Sequence, residues 1–78
     1  MNKHHLCIYD DYTTFDSVTY PYGAKMFEEK MTAAVSSFLD EIIPKIGDGE
    51  IILCGPDPAR RMIGRKLEDR LQRPVNYE

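Results

Sequence analysis

The hydrophobic pattern changes period twice along the chain. From His5 to Tyr9 the residues Leu6, Cys7, Ile8 and Tyr9 follow one another, a run that suits a buried strand and is too short for a helix. Asp10-Asp11-Tyr12-Thr13-Thr14 reads as a turn. Phe15 to Tyr20 then alternates and is rich in Val, Thr, Phe and Tyr, which predicts a second strand returning antiparallel to the first as a hairpin. Pro21 and Gly23 end it.

From Lys25 the spacing becomes three and four. Phe27, Met31, Ala34, Val35, Phe38, Ile42 and Ile46 fall on one stripe of a long amphipathic helix, with Glu28 and Glu29 near its positive end. Pro44 loosens the last turn and Gly47 stops it. After the turn at Asp48-Gly49, Glu50 to Cys54 is the most continuously apolar segment and belongs in the sheet interior. A strand, a helix and a strand in succession imply a parallel pairing. A second helix is expected from Pro58 to Arg73, with Ala59, Ile63, Leu67 and Leu71 inward, Asp57 capping it and Pro58 in its first position. Pro74 ends it, and Val75 to Glu78 is either a short edge strand or a loose tail.

The pattern therefore predicts one α/β (α+β) domain over residues 1–78. Its order is β-β-α-β-α, with a small mixed three-stranded sheet and both helices packed on one face. One sheet face is then left for solvent or a partner, and it carries alternate residues such as Cys7 and Tyr9.

A chain of 78 residues has room for one core, and with 42% apolar residues it can form one, although so small a domain buries only a little over roughly 60% of its unfolded surface. A homodimer would add to that burial. The apolar run after Met1-Asn2-Lys3-His4-His5 is far shorter than the roughly 18 residues of a membrane span, so neither a signal peptide nor membrane insertion is expected. Cys7 and Cys54 both lie among aliphatic residues and read as two reduced, buried thiols in neighbouring strands of a cytoplasmic protein. A disulfide between those strands is the alternative.

Charge is distributed unevenly. Residues 1–57 hold four lysines against ten carboxylates, a net −6, whereas residues 58–78 hold six basic residues against three acidic ones, a net +3. Such a chain is bipolar and can orient a partner or a second copy of itself.

Few residues offer chemistry. The corner Cys54-Gly55-Pro56-Asp57-Pro58-Ala59-Arg60-Arg61 resembles the strand-to-helix corners whose free amides bind phosphate, and Arg60 lies in the first turn within reach of an anion. Against this, Pro58 removes an amide, Asp57 sets a carboxylate where phosphate would sit, and the Gly-Lys-Ser/Thr of a phosphate-binding loop is absent. It reads first as a capped helix start. His4, His5, Asp10 and Asp11 are of metal-binding type but have no ligand spacing, and adjacent strand residues point to opposite faces, so no metal or cofactor is expected. No nucleophile, base and orienter can be assembled. Arg61, Arg65 and Arg73 fall on the outer side of the last helix beside Lys66, but Glu68 and Asp69 interrupt this basic face, which makes nucleic acid a lesser expectation.

The tyrosines are more telling. Tyr9, Tyr12, Tyr20 and Tyr22 cluster in the hairpin and its exits, with Asp10, Asp11 and Asp16 as an acidic rim, and tyrosine is favoured at protein interfaces. These seven residues are the expected protein contact.

The stretch Gly23-Ala24-Lys25-Met26-Phe27 through Phe38-Leu39, followed by Ile51-Ile52-Leu53-Cys54-Gly55-Pro56, resembles the middle domain of the archaeo-eukaryotic release-factor superfamily. In that family a long helix leads to an apolar strand, a Gly-Pro-like corner and another helix. The resemblance covers about half the chain. The family's Gly-Gly-Gln signature is replaced by Tyr22-Gly23-Ala24-Lys25, so what the resemblance implies is RNA or ribosome binding rather than peptidyl-tRNA hydrolysis.

Taken together, these features point to a non-catalytic protein-binding module. Its size and lack of an active site suit a small regulator or inhibitor, of the kind phages and mobile elements encode, that occupies a surface of a larger partner. The alternatives are a release-factor-like RNA-binding module using the basic last helix, and a small enzyme acting on a phosphate ligand at the 54–61 corner.

Overall fold

The computed structural model describes residues 2–28 and 32–78. Its strands are β1 (Lys3–Ile8), β2 (Thr13–Phe15), β3 (Val18–Tyr20), β4 (Glu50–Cys54) and β5 (Asn76–Tyr77), and its helices are α1 (Ala24–Glu28), α2 (Thr32–Ile46) and α3 (Asp57–Leu71). The sheet order is β3-β2-β1-β4-β5. β1 is antiparallel to β2 and parallel to β4, and β4 is parallel to β5. The mixed α+β class agrees with the sequence pattern, but the sheet has five strands rather than three, and the described residues hold three helices rather than two.

Each additional strand has a local cause. The alternation from Phe15 to Tyr20 does not form one strand, because Asp16 adopts φ 54° and turns the chain back at Asp16-Ser17, pairing Phe15 with Val18. An Asp tolerates that left-handed conformation better than most residues, and here its carboxylate is tied to the neighbouring strand by accepting the His5 backbone N–H at 3.0 Å. At the other end, Pro74 closes α3 and the buried Val75 draws the tail inward, so Asn76 and Tyr77 pair with Ile52 and Leu53. The long helix expected from Lys25 corresponds to α1 and α2. Glu29, Lys30 and Met31 lie outside the described residues, so the expected places of Glu29 at the helix start and Met31 on the apolar stripe fall there.

Burial alternates along the two central strands. Leu6 and Ile8 in β1, and Ile51 and Leu53 in β4, are buried beneath Phe27, Phe38, Leu39, Ile42, Ile63 and Leu67 of the helices. His5, Cys7, Ile52 and Cys54 are exposed or half-buried on the opposite face. The helices therefore share one face, as expected. The uncovered face is largely polar, since Thr14, Thr19, His5 and Asn76 surround Ile52 and the two cysteines. A broad apolar sheet-to-sheet dimer is not what this face is built for.

The cysteines differ from the sequence expectation. They are neither reduced nor core residues. The aliphatic neighbours Leu6, Ile8 and Leu53 point into the core, and the strand alternation consequently sends Cys7 and Cys54 to the open face. The parallel register sets them directly opposite each other with Cα atoms 4.7 Å apart, joined as a disulfide across 47 residues of sequence.

Candidate functional site

Four residues link β1 to β2, and backbone bonds hold them in place. The Tyr9 N–H donates to the Tyr12 carbonyl at 2.8 Å, and the first amides of α1 donate onto the same turn, Ala24 to Tyr9 O at 2.8 Å and Lys25 to Asp10 O at 3.1 Å. This docking needs Gly23. A Cβ there would lie 2.4 Å from Asp10 O, 2.5 Å from Tyr12 N and 2.6 Å from Asp11 C, all backbone atoms. The Tyr9 and Tyr12 rings stack at 4.6 Å between centroids with an interplanar angle of 19°, yet remain 45% and 43% exposed. A rigid aromatic pair is thus presented to solvent on an anchored turn.

Beside it an open groove of about 530 Å³ runs along the carboxyl ends of β1 and β4, lined by the tyrosine pair, Asp10, Asp11, the Cys7–Cys54 disulfide and Gly55-Pro56. The carboxyl ends of adjacent parallel strands are where open α/β sheets commonly bind ligands. Gly55 makes the close turn at this end. Its φ is 138°, and a Cβ would sit 2.8 Å from Ile8 O. Asp10 and Asp11 make the rim acidic, and Lys25 Nζ approaches Asp11 Oδ1 at 3.4 Å.

The structure gathers only part of the expected interface. Tyr9, Tyr12, Asp10 and Asp11 come together, but Tyr20 is in the core with 7% of its surface exposed. It faces inward because it pairs with the buried Thr13; its ring meets Phe38 edge-on at 5.6 Å and its hydroxyl accepts from Lys45 Nζ at 2.6 Å. Tyr22 is half-buried, 5.6 Å from the Phe38 ring, and its carbonyl accepts the Thr13 hydroxyl proton. Asp16 lies at the far end of the hairpin, beside His4 and His5, and is no part of the rim.

The basic helix is also reassigned. Arg60 is not poised for an anion: it pairs with Asp57, reaches Glu78 O at 3.3 Å and lies 5.9 Å from the Tyr77 ring, so it clamps the tail strand. Asp57 is the first residue of α3, and Pro56 occupies the cap position with no side-chain cap bond, in place of the expected Asp57 cap. Arg70 pairs with Asp40 of α2 at 2.6 Å. Arg73, expected on the outer face, donates to Gly47 O and Gly49 O at 2.7 and 2.8 Å and holds the turn before β4. Arg61, Arg65 and Lys66 stay exposed on α3, with Glu68 and Asp69 following closely in the same helix. That leaves a small, mixed-charge basic patch.

An unforeseen pair lies at the amino end of β1. His4 is a strand residue of β1; its ring stacks on Phe15 at 5.4 Å, and its Nδ1–H donates to Asp16 Oδ2 at 2.8 Å. His5 points to the open face, so the two histidines do not converge. Burial works against ionisation of Asp16. The His4 ring bond, the His5 amide and the charges of both histidines outweigh it, holding the carboxyl below its ordinary 3.8. A lowered carboxylate contributes stability that is present above the unfolded value and lost as pH falls through the folded one. Asp16→Asn, which keeps the turn-compatible shape, should therefore lower the melting temperature near neutral pH, and the difference should close below pH 3.8. Thermal melts of both proteins across that range check it.

No protein-family model, curated protein or solved structure matches the chain.

Proposed function

We propose that this chain is a non-catalytic protein-binding module, a small regulator or inhibitor, that docks through the Tyr9–Tyr12 pair and the adjoining groove. The observation that carries this reading is the stacked, half-exposed tyrosine pair fixed by the α1 amides. Tyrosine binds well because it offers large area with little conformational entropy to lose, and a pre-anchored turn reduces that loss further. With Asp10 and Asp11 beside the rings, the occupant is a basic segment of a partner protein, its cations facing both carboxylates and ring faces. A second copy holds such a segment in α3, where Arg61, Arg65 and Lys66 are exposed, and the proposed homodimer uses it.

Binding of a labelled arginine-rich peptide and of an equally long glutamate-rich one tests the proposal by anisotropy, with sedimentation velocity measuring self-association. The basic peptide should bind, and Tyr9→Ala or Tyr12→Ala should weaken it by about 2 kcal/mol, roughly 30-fold, with the fold unchanged by circular dichroism. Undiminished binding by both tyrosine variants would reject the site. Capture of an RNA oligonucleotide that Arg61→Ala and Arg65→Ala abolish would favour the nucleic-acid reading instead.

A further inference from the structure

We propose that Cys7–Cys54 is a thiol–disulfide exchange site served by small thiols of neutral or cationic character that enter the groove beside Tyr9 and Tyr12. Exchange here does not depend on partner docking. Both cysteines are half-buried rather than enclosed, both line the groove, and they lie on the sheet face opposite the helices. An attacking sulfur can therefore approach without the core opening.

The strands stay in place when the bond breaks. β1 and β4 are paired over five residues, from Lys3 with Glu50 to Cys7 with Cys54, and they sit between β2 and β5 inside the sheet. Leu6, Ile8, Ile51 and Leu53 anchor the same two strands in the core. Backbone bonds and burial thus keep the register independently of the sulfurs, and the two reduced thiols stay opposite each other. Closure is then an intramolecular step between prepositioned groups.

The reaction balances with an external thiol as reductant. A thiolate attacks Sγ of one cysteine, forming a mixed disulfide and breaking the Cys7–Cys54 bond. The other cysteine leaves as a thiolate and takes a proton from water. A second thiol attacks the mixed disulfide at the external sulfur, so two thiols become one disulfide and the protein gains two electrons and two protons. An external disulfide runs the cycle backwards.

Charge sets the selectivity. Asp10 and Asp11 border the route, so an anionic thiol is repelled at low ionic strength and a thiol bearing an ammonium group is attracted, and salt should erase the difference. Reduction of the native full chain by cysteamine and by glutathione, each corrected for its thiolate fraction and followed by alkylation and mass measurement, tests this. The expected rates rise linearly with thiol concentration. Cysteamine should be faster than glutathione at low salt, and the advantage should shrink in high salt and in the Asp10→Asn, Asp11→Asn double variant. The reduced protein should keep its circular dichroism spectrum, and cystamine should restore the bond. A rate that saturates at the unfolding rate whatever the thiol would overturn the proposal, because access would then require unfolding. Equal corrected rates at low salt, or loss of the fold on reduction, would overturn it as well.

Discussion

Phe38→Ala should destabilise the protein by about 3 to 5 kcal/mol, the range found when a fully buried Phe is truncated. Phe38 has no exposed surface and meets three rings, Tyr20 and Tyr22 at 5.6 Å and Phe27 at 5.7 Å. Removing it opens a cavity where α1, α2 and the β3 exit converge, and the rigid strands beneath cannot collapse to fill it. Stability of about 0.05 to 0.15 kcal/mol per residue gives a domain of 78 residues roughly 4 to 12 kcal/mol in total, so this loss is a large share. Urea titration of the variant measures it. Phe38→Leu, which keeps most of the volume, should cost clearly less, and equal costs would show that the ring contacts are not what the site provides.

Phe38 is legible in the amino-acid pattern alone, because the stripe through Val35, Phe38, Ile42 and Ile46 has one periodicity and one face. The same holds for Ile63 and Leu67 of α3 and for β4, whose bounds coincide with the apolar run. The second hairpin is hidden because Phe15 to Tyr20 alternates straight through Asp16-Ser17. The turn there depends on the Asp16 carboxylate finding His4 and His5, residues on another strand. Local pattern carries no record of such a tether.

The same limit applies to the site. Four tyrosines close in sequence resemble one patch, yet strand alternation sends Tyr20 inward while the turn leaves Tyr9 and Tyr12 outside. The cysteines mislead for a related reason: a continuous apolar run conceals which residues face the core, and only the β1–β4 register reveals the disulfide. Arg60, Arg70 and Arg73 read as surface cations because their partners Glu78, Asp40, Gly47 and Gly49 are brought near by the fold alone. Six basic residues on one segment therefore overstate what α3 offers an anion.

Gly23→Ala should cost about 2 kcal/mol or more and should disable the tyrosine site while leaving the core assembled. A Cβ at this position meets three backbone atoms of the 10–12 turn at 2.4 to 2.6 Å, closer than atoms can stay. Backbone cannot rotate aside as a flexible side chain can, so the turn must lift away from α1. Overpacking of this kind costs about 1 to 3 kcal/mol, and lifting also strains the bonds from Ala24 to Tyr9 O and Lys25 to Asp10 O, each worth about 0.5 to 1.5 kcal/mol. The turn would then lose the anchor that holds the Tyr9 and Tyr12 rings together. Amide and aromatic NMR shifts separate this local loss from global unfolding. Changes concentrated at residues 9–12 and 23–25, with Leu53, Ile63 and Leu67 unmoved and the basic peptide no longer bound, are the expected result. Unchanged Tyr9 and Tyr12 resonances would mean that the turn does not depend on its contact with α1, and the preorganisation on which the proposed docking rests would be lost with it.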